Sequence, residues 1–366
     1  MAIGLRFWIG GSASIHVAAL LESKPRERLN TSIKLKNGLL MPAIGYGTGL
    51  RFTRDETRTR DELKEAILSA IQLGYRTFDT ASSYGTEAAL GDALSDAFQQ
   101  GLVTRSEVFV TSKLACDNYD PDDVLPALQR SLRSLQLEYL DLYLVHFPLK
   151  LRRGAIFPPK EKDILPAWEM KGTWKALERC VDIGVTKDIG VSNFTVKKLE
   201  QLLDFARISP VVDQVELHPI WQQRQLREYC KKKNIHVSAW SPLGGPGKPW
   251  GSYRVLEHPI IKRIAEKHGK TPAQVKAHWM FLNVHHNSCS KVTLRWIMEI
   301  GVSAMVRTLT PGRMLENISI FDFALTEEDH AEISTIEQKR LALFEYLCNQ
   351  TTSPYETVED LWDGEL

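Results

Sequence analysis

Strand-like and helix-like segments alternate about eight times after Thr31, and this alternation constrains the fold more than any other feature of the sequence. A short β-rich run followed by a helical pattern is typical of a parallel sheet rather than a sandwich or a helix bundle. The runs are AIGYGT, TFDTA, VFVTSKL, LDLYLVHF, DIGVSNF, VVDQVEL, HVSAWSPL and SAMVRT. This number of units closes a barrel, so the sequence predicts an α/β fold, a (β/α)8 TIM barrel.

The first helical pattern illustrates the signal, because ELKEAILSAIQLG places Leu63, Ala66 and Ile67 on one stripe and stops at Gly74. Before the barrel, TSIKLKNGLLM carries Asn37-Gly38 between two alternating runs and predicts a β-hairpin that caps the barrel floor. A helix from Glu327 and a C-terminal tail follow the last strand. We therefore expect one barrel domain over residues 31–366. Residues 1–30 are expected to form a disordered N-terminal extension, with a targeting peptide or a wrongly assigned start as alternatives.

The charge balance of the chain argues against a polyanionic partner. Lys and Arg number 46 against 45 Asp and Glu, which leaves a formal net charge of +1 and no overall field toward nucleic acid or an anionic membrane. The sequence lacks the roughly 18–20 consecutive apolar residues that a membrane span requires. Its five cysteines are scattered without a C-x-x-C pair, as in a reducing compartment. We expect a cytoplasmic monomer whose partner is a small molecule.

Ionisable residues close three successive predicted strands. Asp79 ends the second strand, Lys113 the third and His146 the fourth, while Tyr84 lies in the loop just after Asp79. Taken singly, these residues are more often a helix cap, a solvated charge or a satisfied core histidine. In a (β/α)8 barrel, however, the active site lies at the carboxyl ends of the strands, so the four side chains are expected to meet at one rim.

The chemistry of these four residues is coherent. We expect the Lys113 ammonium to lower the pKa of Tyr84, and Asp79 to keep the buried lysine charged. His146 can then orient a carbonyl oxygen that Tyr84 protonates as hydride reaches the carbon. The rival interpretation is a class I aldolase in which Lys113 forms a Schiff base.

Polar residues at the other strand ends suggest a nicotinamide site. The amides of Asn193 and Gln214 can bind a carboxamide, and Trp240 offers a face for ring stacking. GYGTGL is rejected as a dinucleotide fingerprint, because Leu50 stands where the third glycine should be. The other residues assigned to this site by position are Gly47, Thr48, Asp79, Ser192, Ser241 and Leu243.

Two arginines near the start of the helix after strand eight predict a phosphate site. Arg307 and Arg313 flank Pro311, which suits the first turn of a helix, and a helix N-terminus with two guanidinium groups binds phosphate well. Thr308, Glu316 and Asn317 are assigned to the same site. The expected cofactor is NADPH rather than NADH, because only NADPH carries the 2′-phosphate.

The motifs that carry these residues resemble those of the aldo-keto reductase superfamily, over nearly all of residues 31–366. They are GYRTFDTASSYGTEAALGDAL, LDLYLVHFP, GVSNF, QVELHP and SPLG. Within the superfamily, LQLEYLDLYLVHFPL and the LWDGEL ending are most similar to the plant group of chalcone (polyketide) reductase, deoxymugineic acid synthase and methylecgonone reductase. The resemblance implies Asp79, Tyr84, Lys113 and His146 as catalytic tetrad, NADPH across the barrel mouth, and carbonyl reduction in plant specialised metabolism.

The chain departs from the family pattern in two short motifs. Val306, Arg307 and Thr308 stand where relatives carry Pro-Lys-Ser, which replaces a point charge by a planar guanidinium. Phe147 stands where many relatives carry Trp. The substrate site is expected to include Phe52, Phe147, Trp168 and Trp250, with Trp221 and the tail around Tyr346 nearby, and to suit a bulky apolar or aromatic ketone.

A third departure is an insertion of about 17 residues, 276–292, between TPAQV and TLRW. It suggests a retained intron or an error in the assigned gene, and it leaves open a catalytically impaired, cofactor-binding homologue. His285, His286 and Cys289 lack a second ligand pair at zinc spacing, so no metal site is expected. We expect the insertion to loop out, with the helix ending at Val275 and restarting near Thr293.

Overall fold

The computed structural model describes residues 31–49, 60–268 and 278–366, and for residues 278–288 it describes the backbone alone. The predicted N-terminal extension and Phe52 lie outside the described residues.

A β-hairpin opens the described chain, as the sequence predicts. Strand β1 (Ser32–Lys34) pairs antiparallel with β2 (Leu40–Pro42), and Gly38 in the turn has a φ of 90°. A left-handed turn position favours glycine because a Cβ would be strained there. The hairpin joins Leu35 and Met41 to a buried apolar cluster at the amino ends of the barrel strands. The remaining members of that cluster are Phe109, Leu142, Leu144, Val211 and Val212.

Eight parallel strands then close into a barrel, which confirms the predicted fold. The strands are β3 (Ile44–Gly47), β4 (Thr77–Asp79), β5 (Phe109–Leu114), β6 (Leu142–Val145), β7 (Ile189–Ser192), β8 (Val212–Glu216), β9 (His236–Trp240) and β10 (Ser303–Val306). In order around the barrel, β10 pairs with β3, the strands β3 to β9 follow in sequence, and β9 returns to β10.

Helices surround the barrel and bury their apolar stripes against it. In α1, Leu63, Ala66 and Ile67 are buried on the predicted face, and the chain leaves the helix through Gly74 at a φ of 107°. The helices are α1 (Arg60–Leu73), α2 (Glu87–Gln99), α3 (Pro121–Leu135), α4 (Met170–Asp182), α5 (Val196–Leu203), α6 (Arg224–Lys233), α7 (Pro259–Lys267), α8 (His278–Glu299), α9 (Pro311–Ile318), α10 (Glu327–Ser334) and α11 (Val358–Trp362).

The inserted segment differs from its expected form. Helix α8 runs unbroken from His278 to Glu299, so the expected restart near Thr293 is wrong. The physical reason is that the apolar stripe continues upstream: Cys289 and Val292 are fully buried and, with Trp296, repeat at helical spacing. Strand β10 nevertheless keeps its register with β3 and β9. The end of the insertion is therefore part of the packed helix.

Across the described residues, no helix has both the length and the apolar character needed to cross a membrane.

Candidate active site

Three adjacent strands bring the four predicted ionisable residues to one rim of the barrel. Asp79 is the last residue of β4, Lys113 lies near the end of β5, and His146 directly follows β6. Tyr84 comes from a short 3₁₀ turn, Ser82–Tyr84, that follows β4. The Tyr84 hydroxyl lies 3.4 Å from Nε2 of His146, and the Lys113 ammonium lies 5.1 Å from the centre of the Tyr84 ring.

Lys113 is buried with its charge paired. Its Nζ lies 2.6 Å from Oδ1 of Asp79 and donates a second hydrogen bond to the Thr80 carbonyl at 3.0 Å. Burial by itself lowers the pKa of Lys113, but the Asp79 carboxylate and the Tyr84 phenol outweigh burial, and the net pKa is raised. The lysine is therefore held as an ammonium beside the tyrosine, as expected.

The pKa of Tyr84 requires a correction. We expected Lys113 to lower it, and the ammonium does act in that direction. Burial has the larger effect, however, and the net pKa of the phenol is raised above its ordinary value. Tyr84 consequently keeps its proton near neutral pH, with Lys113 adjacent to stabilise the phenolate once the proton has left.

His146 is neutral near physiological pH. Burial, together with the nearby Lys113 charge, lowers its pKa to about 3. Nδ1 lies 3.2 Å from the Ser83 hydroxyl. When Ser83 donates to Nδ1, the imidazole proton resides on Nε2, which is the nitrogen that faces Tyr84. Two hydrogen-bond donors then point toward the same space, the Tyr84 hydroxyl and Nε2 of His146.

A cavity of about 1470 Å³ opens over these residues at the carboxyl ends of the strands. This volume exceeds the roughly 300–1,000 Å³ of a typical small-ligand pocket, and it leaves room for two ligands side by side. Most of the predicted site residues line it: Gly47, Asp79, Tyr84, His146, Phe147, Ser192, Asn193, Gln214, Trp240, Ser241, Leu243, Trp250, Arg307, Thr308, Arg313, Glu316 and Asn317.

The amide side chains in the cavity are fixed by hydrogen bonds. Asn193 donates to the His146 carbonyl at 3.0 Å and accepts from the Trp240 indole at 2.9 Å. Gln214 donates to Oδ2 of Asp79 at 2.8 Å, so one carboxylate holds both the amide and the lysine. Asn193 and Ser241 have φ angles of 66° and 48°, a left-handed backbone that is uncommon for residues with a Cβ. Such residues cluster at functional sites.

The phosphate end of the predicted site is assembled at β10 and α9. Arg307 and Thr308 follow β10 directly, and Arg313 lies in the first turn of α9, where Thr310 makes no side-chain capping bond. The Tyr46 hydroxyl donates to the Thr308 carbonyl at 2.8 Å and fixes the loop between strand and helix. Two guanidinium groups and a helix N-terminus thus lie on the same side of the cavity.

Some predicted residues are placed elsewhere. Thr48 is buried behind the cavity wall, with its hydroxyl 2.8 Å from that of Thr86. Trp168 packs on Tyr119 and its indole donates to Thr173, so it belongs to a separate groove beside the C-terminal tail. Trp221 is also away from the mouth, with the Arg340 guanidinium 4.8 Å above its ring.

The sequence interpretation expected the tail around Tyr346 near the substrate site, but it missed Phe157 and Phe344, which complete an aromatic wall there. Phe344 lies 5.2 Å, between ring centres, from Phe147, and Phe157 lies 6.3 Å from Phe147 on another side. Phe344 and Tyr346, with ring centres 6.0 Å apart, both line the cavity. The signal available in the sequence was the aromatic spacing of LALFEYL, which periodicity alone could not connect to the rim.

Among the residues whose side chains are described, no group of three or more His, Cys, Asp or Glu side chains is arranged to hold a metal ion. His285 and His286 fall outside those residues.

Comparison with known proteins gives a consistent result. The model of the Aldo/keto reductase family matches residues 43–338. The NAD(P)H-dependent 6′-deoxychalcone synthase of Glycine max is 46% identical over 327 residues, covering 89% of this chain and 94% of that protein. The NADPH-dependent codeinone reductase 1-4 of Papaver somniferum is 44% identical over 332 residues, covering 90% and 97%. A crystal structure of a Bombyx mori aldo-keto reductase in complex with NADP has a TM-score of 0.72 at 32% identity, covering 85% of this chain and 94% of that one.

Proposed function

The chain belongs to the aldo/keto reductase family, and from that premise we propose that it reduces the carbonyl of a small organic molecule to an alcohol with NADPH, using Tyr84 as the general acid. The family relation makes it an oxidoreductase, and relatives named for NADPH dependence support the cofactor. The role of Tyr84 rests on the position of its hydroxyl, which lies 3.4 Å from Nε2 of His146, with the Lys113 ammonium 5.1 Å from the centre of the ring.

The residues that line the cavity fit a nicotinamide dinucleotide phosphate. Asn193 and Gln214 would hold the carboxamide, Trp240 would contact the ring, and Arg307 with Arg313 would hold the 2′-phosphate at the start of α9. When bound, the cofactor supplies the hydride that reduces the carbonyl carbon. The position of the anion site beside the helix N-terminus supports NADPH over NADH.

The side chains at the rim can supply the proton that the carbonyl oxygen takes up. His146 and Tyr84 hydrogen-bond the carbonyl oxygen, and the phenolic proton moves to that oxygen as it gains negative charge. The Lys113 ammonium stabilises the resulting phenolate, and Asp79 keeps the ammonium charged and fixed. The raised pKa of Tyr84 keeps its phenol protonated before each turnover.

The two rival interpretations receive less support. An aldolase needs a neutral, accessible lysine, whereas Lys113 is 1% exposed, paired with Asp79 and has a raised pKa. Impairment by the insertion would follow from a displaced strand β10, but β10 pairs in register on both sides, and Trp296 and Ile297 remain buried.

The cavity wall favours an apolar, ring-bearing substrate. Phe147, Phe157, Phe344 and Tyr346 face the space beside Tyr84, so a planar hydrophobic carbonyl compound would be buried against aromatic rings. Relatives named for different plant products make a role in plant specialised metabolism the natural expectation. The five cysteines are free thiols, as a reducing compartment such as the cytosol maintains. A monomer remains our expectation.

The test is NADPH oxidation by the purified protein against a panel of aromatic aldehydes, cyclic ketones and 2-oxo acids. We expect turnover with the aromatic and cyclic compounds. The absence of oxidation with every compound, in a protein that binds NADPH, would contradict the proposal.

A further inference from the structure

A buried glutamate at the end of strand β8 holds the C-terminal tail. Glu216 is 1% exposed and lies two residues beyond Gln214. Its Oε1 accepts hydrogen bonds from Nε2 of His218 at 3.0 Å and from the backbone N–H of Leu341 at 3.1 Å. Its Oε2 accepts from the backbone N–H of Ala342, also at 3.1 Å. We call these four residues the tail clamp.

The clamp needs a carboxylate with both oxygens available. Two oxygens receive three donors from two separate parts of the chain, so a neutral amide with one acceptor oxygen could not replace them. With an amide in its place, the backbone N–H of Leu341 or that of Ala342 would be left without an acceptor, which is the costly outcome for a buried polar group. Arg340 adds a second attachment beside the clamp, since its guanidinium lies 4.8 Å over the ring of Trp221, which precedes helix α6.

The residue that the clamp positions is Phe344, two residues after Ala342. Its φ of 55° is left-handed, so the local backbone is constrained as well as anchored. Its ring lies 5.2 Å from Phe147 and 6.3 Å from Trp240, measured between ring centres. A shift of the backbone at Ala342 would therefore move the wall of the substrate cavity without touching the four ionisable residues of the rim.

We propose that Glu216 is a positioning residue for substrate selection, which fixes Leu341 and Ala342 so that Phe344 presents an aromatic wall to ring-bearing carbonyl substrates. The proposal rests on the proposed function. Glu216 is then necessary for the preference between substrates but not for proton transfer. The hydrogen bonds that define the tail clamp join Glu216 to His218, Leu341 and Ala342, and none of them involves Tyr84 or His146.

The chain contains a matched control for this proposal. Glu178 in helix α4 is also a buried glutamate, and one of its oxygens accepts the backbone N–H groups of Arg207 and Ile208 at 2.7 and 2.8 Å. It also holds a loop by backbone N–H groups, through one oxygen where Glu216 uses two, and it is not part of the cavity lining. Glu178→Gln therefore measures the general cost of neutralising a buried clamping carboxylate.

The experiment compares naphthaldehyde with propanal, two aldehydes that differ in ring content, in the wild type, Glu216→Gln and Glu178→Gln. For Glu216→Gln we expect kcat/KM with naphthaldehyde to fall roughly tenfold or more, mainly through KM, because lost apolar contacts in a pocket are worth about 10- to 200-fold. With propanal the change should stay within about twofold, as should NADPH affinity. For Glu178→Gln the ratio between the two aldehydes should stay at the wild-type value.

The variant Phe344→Ala tests whether Glu216 acts through the position of Phe344. It should reproduce the selective loss of kcat/KM with naphthaldehyde. The double variant Glu216→Gln/Phe344→Ala should lose no more than either single variant, because both substitutions act on one interaction.

Three results would each overturn the proposal: equal losses of kcat/KM for both aldehydes in Glu216→Gln, no change in the ratio between them, or additive losses in the double variant. If Glu216→Gln does not fold, the same assays on Glu216→Asp decide, since aspartate keeps the charge but retracts its oxygens from the tail amides. A folded wild type that binds NADPH but reduces no compound of the panel, these two aldehydes included, would overturn the proposed function, and this proposal with it.

Discussion

The two ends of the barrel are built from the same eight strands, but the side chains buried at one end are apolar and many of those buried at the other are polar or charged. At the amino ends, the hairpin residues Leu35 and Met41 join an apolar cluster under the barrel. At the carboxyl ends, the buried residues include Lys113, Asp79 and Gln214, which hydrogen bonds link to one another. Parallel strands place every carboxyl end on one side, so each strand can contribute packing at one end and chemistry at the other.

The contrast teaches that stability and reactivity are separated along each strand. In β5, Phe109 belongs to the apolar cluster at the amino ends of the strands, which we call the floor cluster, while Lys113, four residues later, lies at the rim. Removing an apolar side chain from the floor should cost stability without altering chemistry, and removing a polar atom from the rim should do the reverse. Four substitutions test this separation.

The largest effect is expected for Tyr84→Phe. The ring keeps its place beside Gly49 and Lys113, but the hydroxyl that protonates the carbonyl oxygen is gone. We expect kcat to fall roughly 10²- to 10⁴-fold, which is the usual value of general acid catalysis. NADPH affinity, measured by fluorescence titration, and the melting temperature should be nearly unchanged. A variant that keeps more than about a tenth of kcat would remove Tyr84 from the role of acid.

Met41→Ala at the floor should give the opposite result. Met41 is 2% exposed within the floor cluster, so its truncation leaves a cavity and lowers the free energy of unfolding by about 2–5 kcal/mol. The kcat and the KM for NADPH should match the wild type at a temperature where both proteins are folded. Denaturant unfolding and steady-state kinetics measure the two quantities. A marked loss of kcat would break the separation between floor and rim.

Arg313→Ala tests whether the anion site at α9 selects the cofactor. Loss of one charge-assisted contact to the 2′-phosphate should raise KM for NADPH roughly tenfold and leave KM for NADH unchanged, because NADH has no such phosphate. In the wild type, kcat/KM should be higher with NADPH than with NADH. Equal values for the two cofactors in the wild type would overturn the assignment of Arg307 and Arg313.

The smallest and most pH-dependent effect is expected for Asp213→Asn. Asp213 is fully buried in β8, and burial raises its pKa well above the ordinary value, with a backbone contact to Phe194 opposing. A raised folded pKa means that stability is complete below the unfolded pKa, about 3.9, and declines as pH rises above it. Asparagine does not titrate. The melting temperature of the variant should exceed the wild type near neutral pH, and the difference should shrink toward about pH 4. A difference independent of pH would show that Asp213 is not the titrating group.

The rim could be predicted from the sequence because its signals are local. An ionisable residue at the end of an apolar strand, as with Asp79, Lys113 and His146, can be located by its place along the strand, and parallel pairing converts that place into a common position in space. The hairpin was equally local, since Asn37-Gly38 specifies its turn.

The remaining features depended on contacts between distant segments. Phe344 lines the cavity in a tail whose backbone is hydrogen-bonded, at Ala342, to Glu216, 126 residues earlier in the chain. Trp168 and Trp221 were expected at the mouth because they lie in loops, but contacts with residues far away in the sequence hold them elsewhere. The pKa of Tyr84 was misjudged because a charge pair can be read from residue types, whereas the degree of burial cannot.

The hairpin that covers the barrel floor also bears on the order in which ligands bind. Because the amino ends are covered in the described part of the chain, both reactants share the opening at the rim. The amides of Asn193 and Gln214 lie deep in that opening, 6% and 4% exposed, whereas Tyr346 at its edge is 46% exposed. We therefore expect the dinucleotide to enter before the carbonyl compound and to leave after the alcohol. Departure of the spent cofactor then becomes the last event of each catalytic cycle, and slow egress there would limit the rate of the whole enzyme.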